Sequence, residues 1–369
     1  MENYFKEINN FIIEINIKNY PEEIRDKVKY FLQDGKRLRP ILCLLFSGIE
    51  IKQNEKTELN ESNSIIYTIA SCIEQIHCLS LVLDDLPEMD NDSIRRGKQS
   101  FHSKYGISYT NFFVYYIFNH IGLSLDIILE KHIDNNIDNN DIDNNDIDNN
   151  YEISSRINKL IVENLNMLID GQYNDLFYNM SKINTSLDSN IDSNINNELK
   201  TSLFHNEKKI ILNLIEIDVY NDIYNDIEIK SRLLKNIELN MKKTSSLFNL
   251  SICTGFLLQI WLNKCKSNIE IIDNIYNKLS IWSNILGYIF QISDDILDID
   301  DDKAKGSPNL CNIIGKEKTC ELLKKGCEWL KDMISGIYDK NNIELDNSLN
   351  INLDIVNEII EKILKRSKI

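Results

Sequence analysis

The sequence predicts an all-α chain, and three observations carry that prediction. Only 12 Gly and 4 Pro interrupt 369 residues, so long stretches run without a breaker. Apolar residues recur three and four apart, in Ile65, Ile66, Ile69, Ile73 and Ile76 and again in Ile285, Ile289, Ile292, Ile296 and Ile299. That spacing lines one face of a helix. An alternating strand pattern of useful length is absent from the sequence.

The elements follow in order. Ser62 or Asn63 stands ahead of the first stripe as a candidate helix cap. Pro87 removes a helical hydrogen bond and is expected to disturb the helix behind it. The stretches Phe112–Leu129 and Leu247–Leu262 are apolar but hold Asn119, His120 and Asp126, and Asn249, Ser251 and Gln259. Both read as buried core helices rather than membrane spans. Residues 133–150, IDNNIDNNDIDNNDIDNN, offer only single isoleucines among Asp and Asn. Such a tract buries too little apolar area to offset its ordering entropy. It reads as a disordered insertion, and residues 183–199 read alike.

A hydrophobic content of 43% supplies a sizeable core, for one large domain or two ordinary ones. The net charge of −16 argues against a nucleic-acid binder, which needs a basic surface. The eight cysteines, 43, 72, 78, 253, 265, 311, 320 and 327, form no Cys-x-x-Cys pair. They read as buried thiols in a reducing compartment. The N-terminus lacks the basic start and apolar run of a signal peptide, so the expected location is cytoplasmic, with a plastid-type organelle as the alternative.

Two acidic motifs then stand out. In FQISDDILD, Gln291, Asp294 and Asp298 lie three and four apart, on one helical face opposite the isoleucines. In LVLDDLPEMDNDSIRRGK, His77, Ser80 and Asp84 share a face, with Asp85 adjacent and Asp90 beyond Pro87. Carboxylates so spaced repel unless a cation sits among them. Hard oxygen donors in this number suit Mg²⁺ bridging to phosphates; a solvated acidic face is the plainer reading of either motif alone. Basic residues are interleaved: Lys36, Arg37 and Arg39 in GKRLRP, Arg95 and Arg96, and Lys242 and Lys243. Arginine offers forked donors to phosphate oxygens, so the set looks like a site for two anionic ligands.

With these motifs, together with DGQYNDL and KKT, in this order, the chain resembles the trans-isoprenyl diphosphate synthases, the polyprenyl synthase family, and within it geranylgeranyl diphosphate synthase-type members. The likeness runs from about Tyr20 to Lys368, outside the Asn-rich tracts. It implies a single domain over residues 1–369: a large helical bundle around a deep central cavity (the isoprenoid synthase fold), paired as a homodimer. It implies condensation of isopentenyl diphosphate with an allylic diphosphate, releasing pyrophosphate, with three Mg²⁺ ions per active site. Asp84, Asp85, Asp90, Asp294, Asp295 and Asp298 are the implied metal ligands. Arg95, Lys243 and Lys305 are implied to clamp the allylic diphosphate. Lys36, Arg39, His77 and Arg96 are implied to bind isopentenyl diphosphate, and Thr244 and Gln291 to border the reacting carbon. Leu79 and Ser80, smaller than an aromatic ring, imply a product of twenty carbons or more.

The sequence departs from the resemblance in three places. Leu83 stands where relatives usually have His, TNFFVYYIFNHIG lacks a Gly-Asp pair, and the lysine loop after Asp298 is short, leaving Lys303 and Lys305 to compete for one role. A non-catalytic partner subunit of a heteromeric synthase and a terpene cyclase are the alternatives; the second has no use for GKRLRP.

Overall fold

The structure is a computed structural model that describes residues 8–9, 12–14, 17–49, 61–137, 144–181, 203–215, 227–262, 269–305, 307–344 and 349–367. The described chain is helical apart from one two-residue hairpin. It divides into two compact units, each drawn from two segments. One comprises Met1–Leu160 and Thr254–Cys265, the other Ile161–Cys253 and Lys266–Ile369.

The first unit contains α1 (Glu22–Leu32), α2 (Leu38–Phe46), α3 (Glu61–Asp84), α4 (Phe101–Tyr105) and α5 (Ile107–Ile137). α1 starts behind Pro21, with Glu22 and Glu23 in its first turn and Lys29 in its last, each complementing the helix dipole. α3 packs on α1, α2 and α5. Its predicted stripe, Ile65, Ile66, Ile69, Ile73 and Ile76, is buried throughout. The helix starts at Glu61, ahead of both candidate caps, and stops at Asp84, three residues short of Pro87, in keeping with a proline that cannot continue it. The short strands β1 (Ile94–Arg95) and β2 (Lys98–Gln99) pair antiparallel, Arg95 opposite Lys98. Their two-residue turn, Arg96 and Gly97, takes φ of 53° and 76°, the geometry that matches strand twist in a tight hairpin.

One buried ion pair organises this unit. Arg37 and Glu74 meet at 2.7 Å, with their side chains 1% and 2% exposed. Arg37 also donates to Asn9 Oδ1 and to the Leu32 carbonyl. A Cβ on Gly35 would stand 2.5 Å from the Arg37 guanidinium and 2.9 Å from Glu74. A larger residue there would have to displace the ion pair.

The second unit contains α7 (His205–Leu214), α8 (Ile227–Asn240), a π turn (Met241–Ser245), α10 (Ile269–Leu297), α11 (Ile299–Lys305), α12 (Cys311–Ile314), α13 (Lys316–Glu344) and α14 (Leu353–Arg366). Helices α6 (Asn144–Ser181) and α9 (Ser246–Leu262) each contribute to both units. α10 is the centre, packed by α7, α13, α14 and the π turn. Trp282, Ile285, Leu286, Tyr288, Ile289 and Ile292 fill its inner face, and the Trp282 indole donates to the Leu330 carbonyl at 2.8 Å. α14 is capped by Asn352, which accepts from the Ile355 amide.

One expectation changes. Phe112–Leu129 is not a wholly buried helix: Phe113, Ile117 and Ile121 are buried, while Phe112, Tyr115, Phe118 and Leu123 face outward. A run that is apolar all round gives no stripe to show which side is covered. The tract 133–150 is helical where described, residues 133–137 closing α5 and 144–150 opening α6. Propagating a helix from an existing one avoids the cost of nucleation. Residues 183–199 lie outside the described residues. Of the eight cysteines, seven are described, none in a disulfide, and all of these but Cys320 are buried. Helices over Asn63–Asp84 and Ile229–Leu262 are long and apolar enough to cross a membrane, and most of each is buried within the protein.

Glu74→Gln leaves the Arg37 charge buried without its counter-ion, a change that costs about 3–5 kcal/mol. The urea midpoint should fall accordingly; an unchanged midpoint would show that the pair does not hold the unit together.

Candidate active site

In the first unit the acidic motif sits where α3 runs out. Past Asp84 the chain turns back on itself, and the Asp90 amide donates to the Asp84 carbonyl at 2.9 Å. The four-residue spacer thus returns Asp90 to the helix end. Asp85 points inward and is buried. Arg95, carried by the hairpin, donates to Asp85 Oδ1 from Nε at 2.7 Å and again from Nη2, and lies 3.7 Å from Asp92. Burial pushes the Asp85 carboxyl above its ordinary range, and Arg95 pulls it part of the way back.

A small recess of about 60 Å³ opens beside this pair, its lining including the polar Asp85, Arg95, Arg96 and Lys98 and the apolar Phe31, Cys78, Val82 and Phe101. His77 lies among cations. Its ring is held well below its usual pKa, first by burial and then by Arg39, Arg96, Arg37 and Arg95. Three of the four residues assigned to isopentenyl diphosphate, His77, Arg39 and Arg96, are therefore neighbours. Lys36 is exposed. Of the GKRLRP cations, Arg37 is taken up by Glu74 and is structural.

In the second unit the site is built on an irregular turn. At Met241–Ser245 the helix widens to a π turn, a distortion often found at functional positions. Gly171 lets α6 approach it, since a Cβ there would meet the Lys243 amide at 2.8 Å. The contact brings Asp175 to Lys243 Nζ at 2.7 Å. Thr244 Oγ1 donates to Gln291 Oε1 at 2.9 Å, and Gln291 Nε2 donates to Asp295 Oδ1 at 3.0 Å. The Leu310 amide donates to the other Asp295 oxygen at 2.9 Å. Lys242 instead turns to Glu238.

Asp294 and Asp295 point in different directions. Asp294 is partly open and pairs with Arg366 of α14. Asp295 is buried, its carboxyl pushed up to about 6 by burial against the pull of Gln291 and the Leu310 amide. Both its oxygens are spent on protein partners. It positions the Gln291 amide and the segment behind it, where Asn309 Nδ2 donates to the Asp295 carbonyl at 2.8 Å and to Asp302 at 2.8 Å. Asp298 is exposed one residue past α10. Lys303 is exposed; Lys305 closes α11, and its side chain lies outside the described residues.

Two participants escaped the sequence reading. Asp175 follows Gly171 by one helical turn, and that spacing was the available signal. Arg366 gave none beyond being a basic residue in a last turn. An ion pair about a quarter open to water, as Arg366–Asp294 is, is worth roughly 1 kcal/mol or less.

Among the described residues no three His, Cys, Asp or Glu side chains are gathered to enclose a metal. The donors still suit Mg²⁺, which binds through one or two carboxylates and fills its other positions with water and phosphate oxygens. Partly open carboxylates at Asp84, Asp90, Asp294 and Asp298 fit that mode of binding.

A sequence profile described as Polyprenyl synthetase matches residues 21–205, half of the chain. The chain belongs to the polyprenyl synthetase family. Its match to geranylgeranyl pyrophosphate synthase 10, mitochondrial, of Arabidopsis thaliana is 41% identical over 110 residues, 29% of each protein. The chloroplastic geranylgeranyl pyrophosphate synthase of Capsicum annuum is 39% identical over 100 residues, 27% of this chain and 25% of the relative. These matches span less than a third of either relative. A solved geranyltransferase from Helicobacter pylori superposes with a TM-score of 0.60 at 18% identity, covering 99% of this chain and 97% of that one. The same enzyme complexed with magnesium and isoprenyl diphosphate gives 0.58 at 19% identity, covering 98% and 96%. At that identity the likeness establishes the all-α isoprenoid synthase fold of this polyprenyl synthetase.

The state of His77 predicts a pH effect. The unfolded chain takes up a proton near pH 6.5, and the native ring does not. Stability should therefore fall as the pH drops through that value. Urea midpoints taken at either side of it should show a smaller loss for His77→Asn than for wild type. An equal loss in both would mean that His77 is not held neutral.

Proposed function

We propose that the chain is a magnesium-dependent trans-prenyltransferase that condenses isopentenyl diphosphate with an allylic diphosphate, giving a product of twenty carbons or longer and releasing pyrophosphate. The observation that carries the reading is that both acidic helix ends come with the groups a diphosphate needs. Asp84, Asp85 and Asp90 sit with Arg95 in one unit; Asp294 and Asp298 accompany Lys243, Thr244 and Gln291 in the other. The geranylgeranyl pyrophosphate synthase relatives support the substrate class.

Asp84, Asp85, Asp90, Asp294, Asp295 and Asp298 would hold the metal, with Asp295 also positioning Gln291. Bound Mg²⁺ supplies charge stabilisation to the leaving diphosphate. Lys243, Arg95 and the lysine near Asp298 donate to its oxygens, an interaction that strengthens as charge develops there. Lys36, Arg39, His77 and Arg96 fix isopentenyl diphosphate so that its double bond lies against the cation-like allylic carbon. Gln291 and Thr244 border that carbon. A neutral His77 can accept or donate one hydrogen bond without adding charge. The chain acts as one catalytic unit and as a homodimer, for which the open apolar face of α5 is a suitable surface; light scattering of the purified protein tests the dimer. Relatives named mitochondrial and chloroplastic favour the organelle alternative over the cytoplasm, which imaging of a tagged chain decides.

Purified protein with Mg²⁺ and both diphosphates should turn over by itself, and Asp84→Ala and Asp294→Ala should each lower the rate by about a hundred-fold or more. Turnover absent in wild type would favour the non-catalytic subunit; near-normal rates in both variants would remove the metal role.

Product length follows from α3. Ser80 is partly open and about 40° from Asp84 around the helix, with its hydroxyl turned to the His77 carbonyl. Leu79 is packed inside. Ser80→Phe should therefore shorten the product while sparing the first condensation, whereas Leu79→Phe should chiefly lower stability. Chromatography of the products checks this, and an unchanged length in Ser80→Phe would place the floor elsewhere.

A further inference from the structure

Arg366 lies in the last turn of α14, 72 residues beyond Asp294. Three contacts aim it at the second acidic motif. Nη2 donates to Asp294 Oδ1, Nη1 reaches Ser293 Oγ at 3.4 Å, and the guanidinium lies 4.7 Å from the centre of the Phe290 ring. The helix that carries it is well seated. Val356, Ile359, Ile360 and Ile363 are buried, and Glu361 pairs with Lys331 of α13. The guanidinium is thus presented by a packed helix, stacked on an aromatic face as arginine favours.

We propose that Arg366 is a positioning residue of the reaction. It keeps Asp294 paired and oriented in the metal-free protein, and it is exchanged for the divalent cation when the diphosphate binds. The inference rests on the proposed metal role of Asp294. A carboxylate oxygen that accepts from a guanidinium offers less charge and fewer lone pairs to an incoming ion. A cation arriving alone therefore meets a carboxylate whose charge is already paired. A diphosphate changes that balance, because its oxygens complete the coordination of the cation and give the released guanidinium a second anion to pair with. Metal binding becomes conditional on substrate. The partial exposure of the pair keeps the exchange within reach of water and ions.

The test is Mn²⁺ titration of the full chain without substrate, read by electron paramagnetic resonance. Arg366→Gln should bind Mn²⁺ about five-fold more tightly than wild type, the equivalent of a weak ion pair removed. Lys365→Gln, the same charge change one residue earlier, should match wild type. Arg366→Lys should lie closer to wild type than Arg366→Gln does. Pyrophosphate should narrow the gap between Arg366→Gln and wild type. Equal affinities in Arg366→Gln and wild type, or an equal gain in Lys365→Gln, would overturn the proposal. Hydrogen exchange on wild type covers the case in which Arg366→Gln does not fold. Mg²⁺ with pyrophosphate should speed exchange in the last turn of α14, and Mg²⁺ alone should not; no difference between the two overturns the exchange of partners. Neither measurement uses turnover. A metal effect without turnover would therefore keep this inference and lose the proposed reaction, and turnover without a metal effect would do the reverse.

Discussion

Carboxylates on successive helical turns cannot be brought together without opposite charge beside them, and the local structure around both acidic motifs answers to that constraint. Arg95 comes from a hairpin whose tight turn aims it at Asp85 and Asp92. Arg366 comes from a helix far along the chain and lands on Asp294. Asp295 takes another course, withdrawing from water and collecting hydrogen bonds at the cost of a raised pKa. Each acidic motif therefore carries an arginine counter-charge, of a kind that also binds phosphate.

The supports behind these groups are less polar and more rigid. The buried Arg37–Glu74 pair and the space left by Gly35 fix the start of α2, and so the backbone that carries Lys36 and Arg39. In the second unit the π turn, the close approach of Gly171 and the chain Thr244–Gln291–Asp295–Leu310 hold four reactive or polar groups in one arrangement. A network in which each member is satisfied holds its geometry better than isolated side chains do.

Much of this was legible in the sequence, because helical spacing is local. The two isoleucine stripes, the acidic faces opposite them and the stop before Pro87 need only neighbouring residues. Even the burial of Asp295 had a signal, since it lies three residues from Ile292 and beside Ile296, on the apolar side of α10. Other features depend on the fold. GKRLRP has three cations, and the sequence alone does not reveal that the middle one is buried on Glu74. Phe112–Leu129 is apolar on every side, so its outward face depends on what packs against it. Arg366 meets Asp294 only after 72 residues of chain have folded, and long-range pairing of that kind leaves no local pattern.

The π turn has a consequence for how this sequence can vary. A widened turn is a register shift set within an otherwise continuous helix. Loss of one residue near Met241 would allow the segment to close as regular α-helix, with its hydrogen bonds intact. Both flanks would keep their places, because a π turn takes up one extra residue within a single turn, and only the residues of the turn itself, Lys243 among them, would be re-aimed away from Asp175. Such a lineage would keep its helix and lose its lysine, a lesion hidden from any measure of folded content and open to selection only through the chemistry.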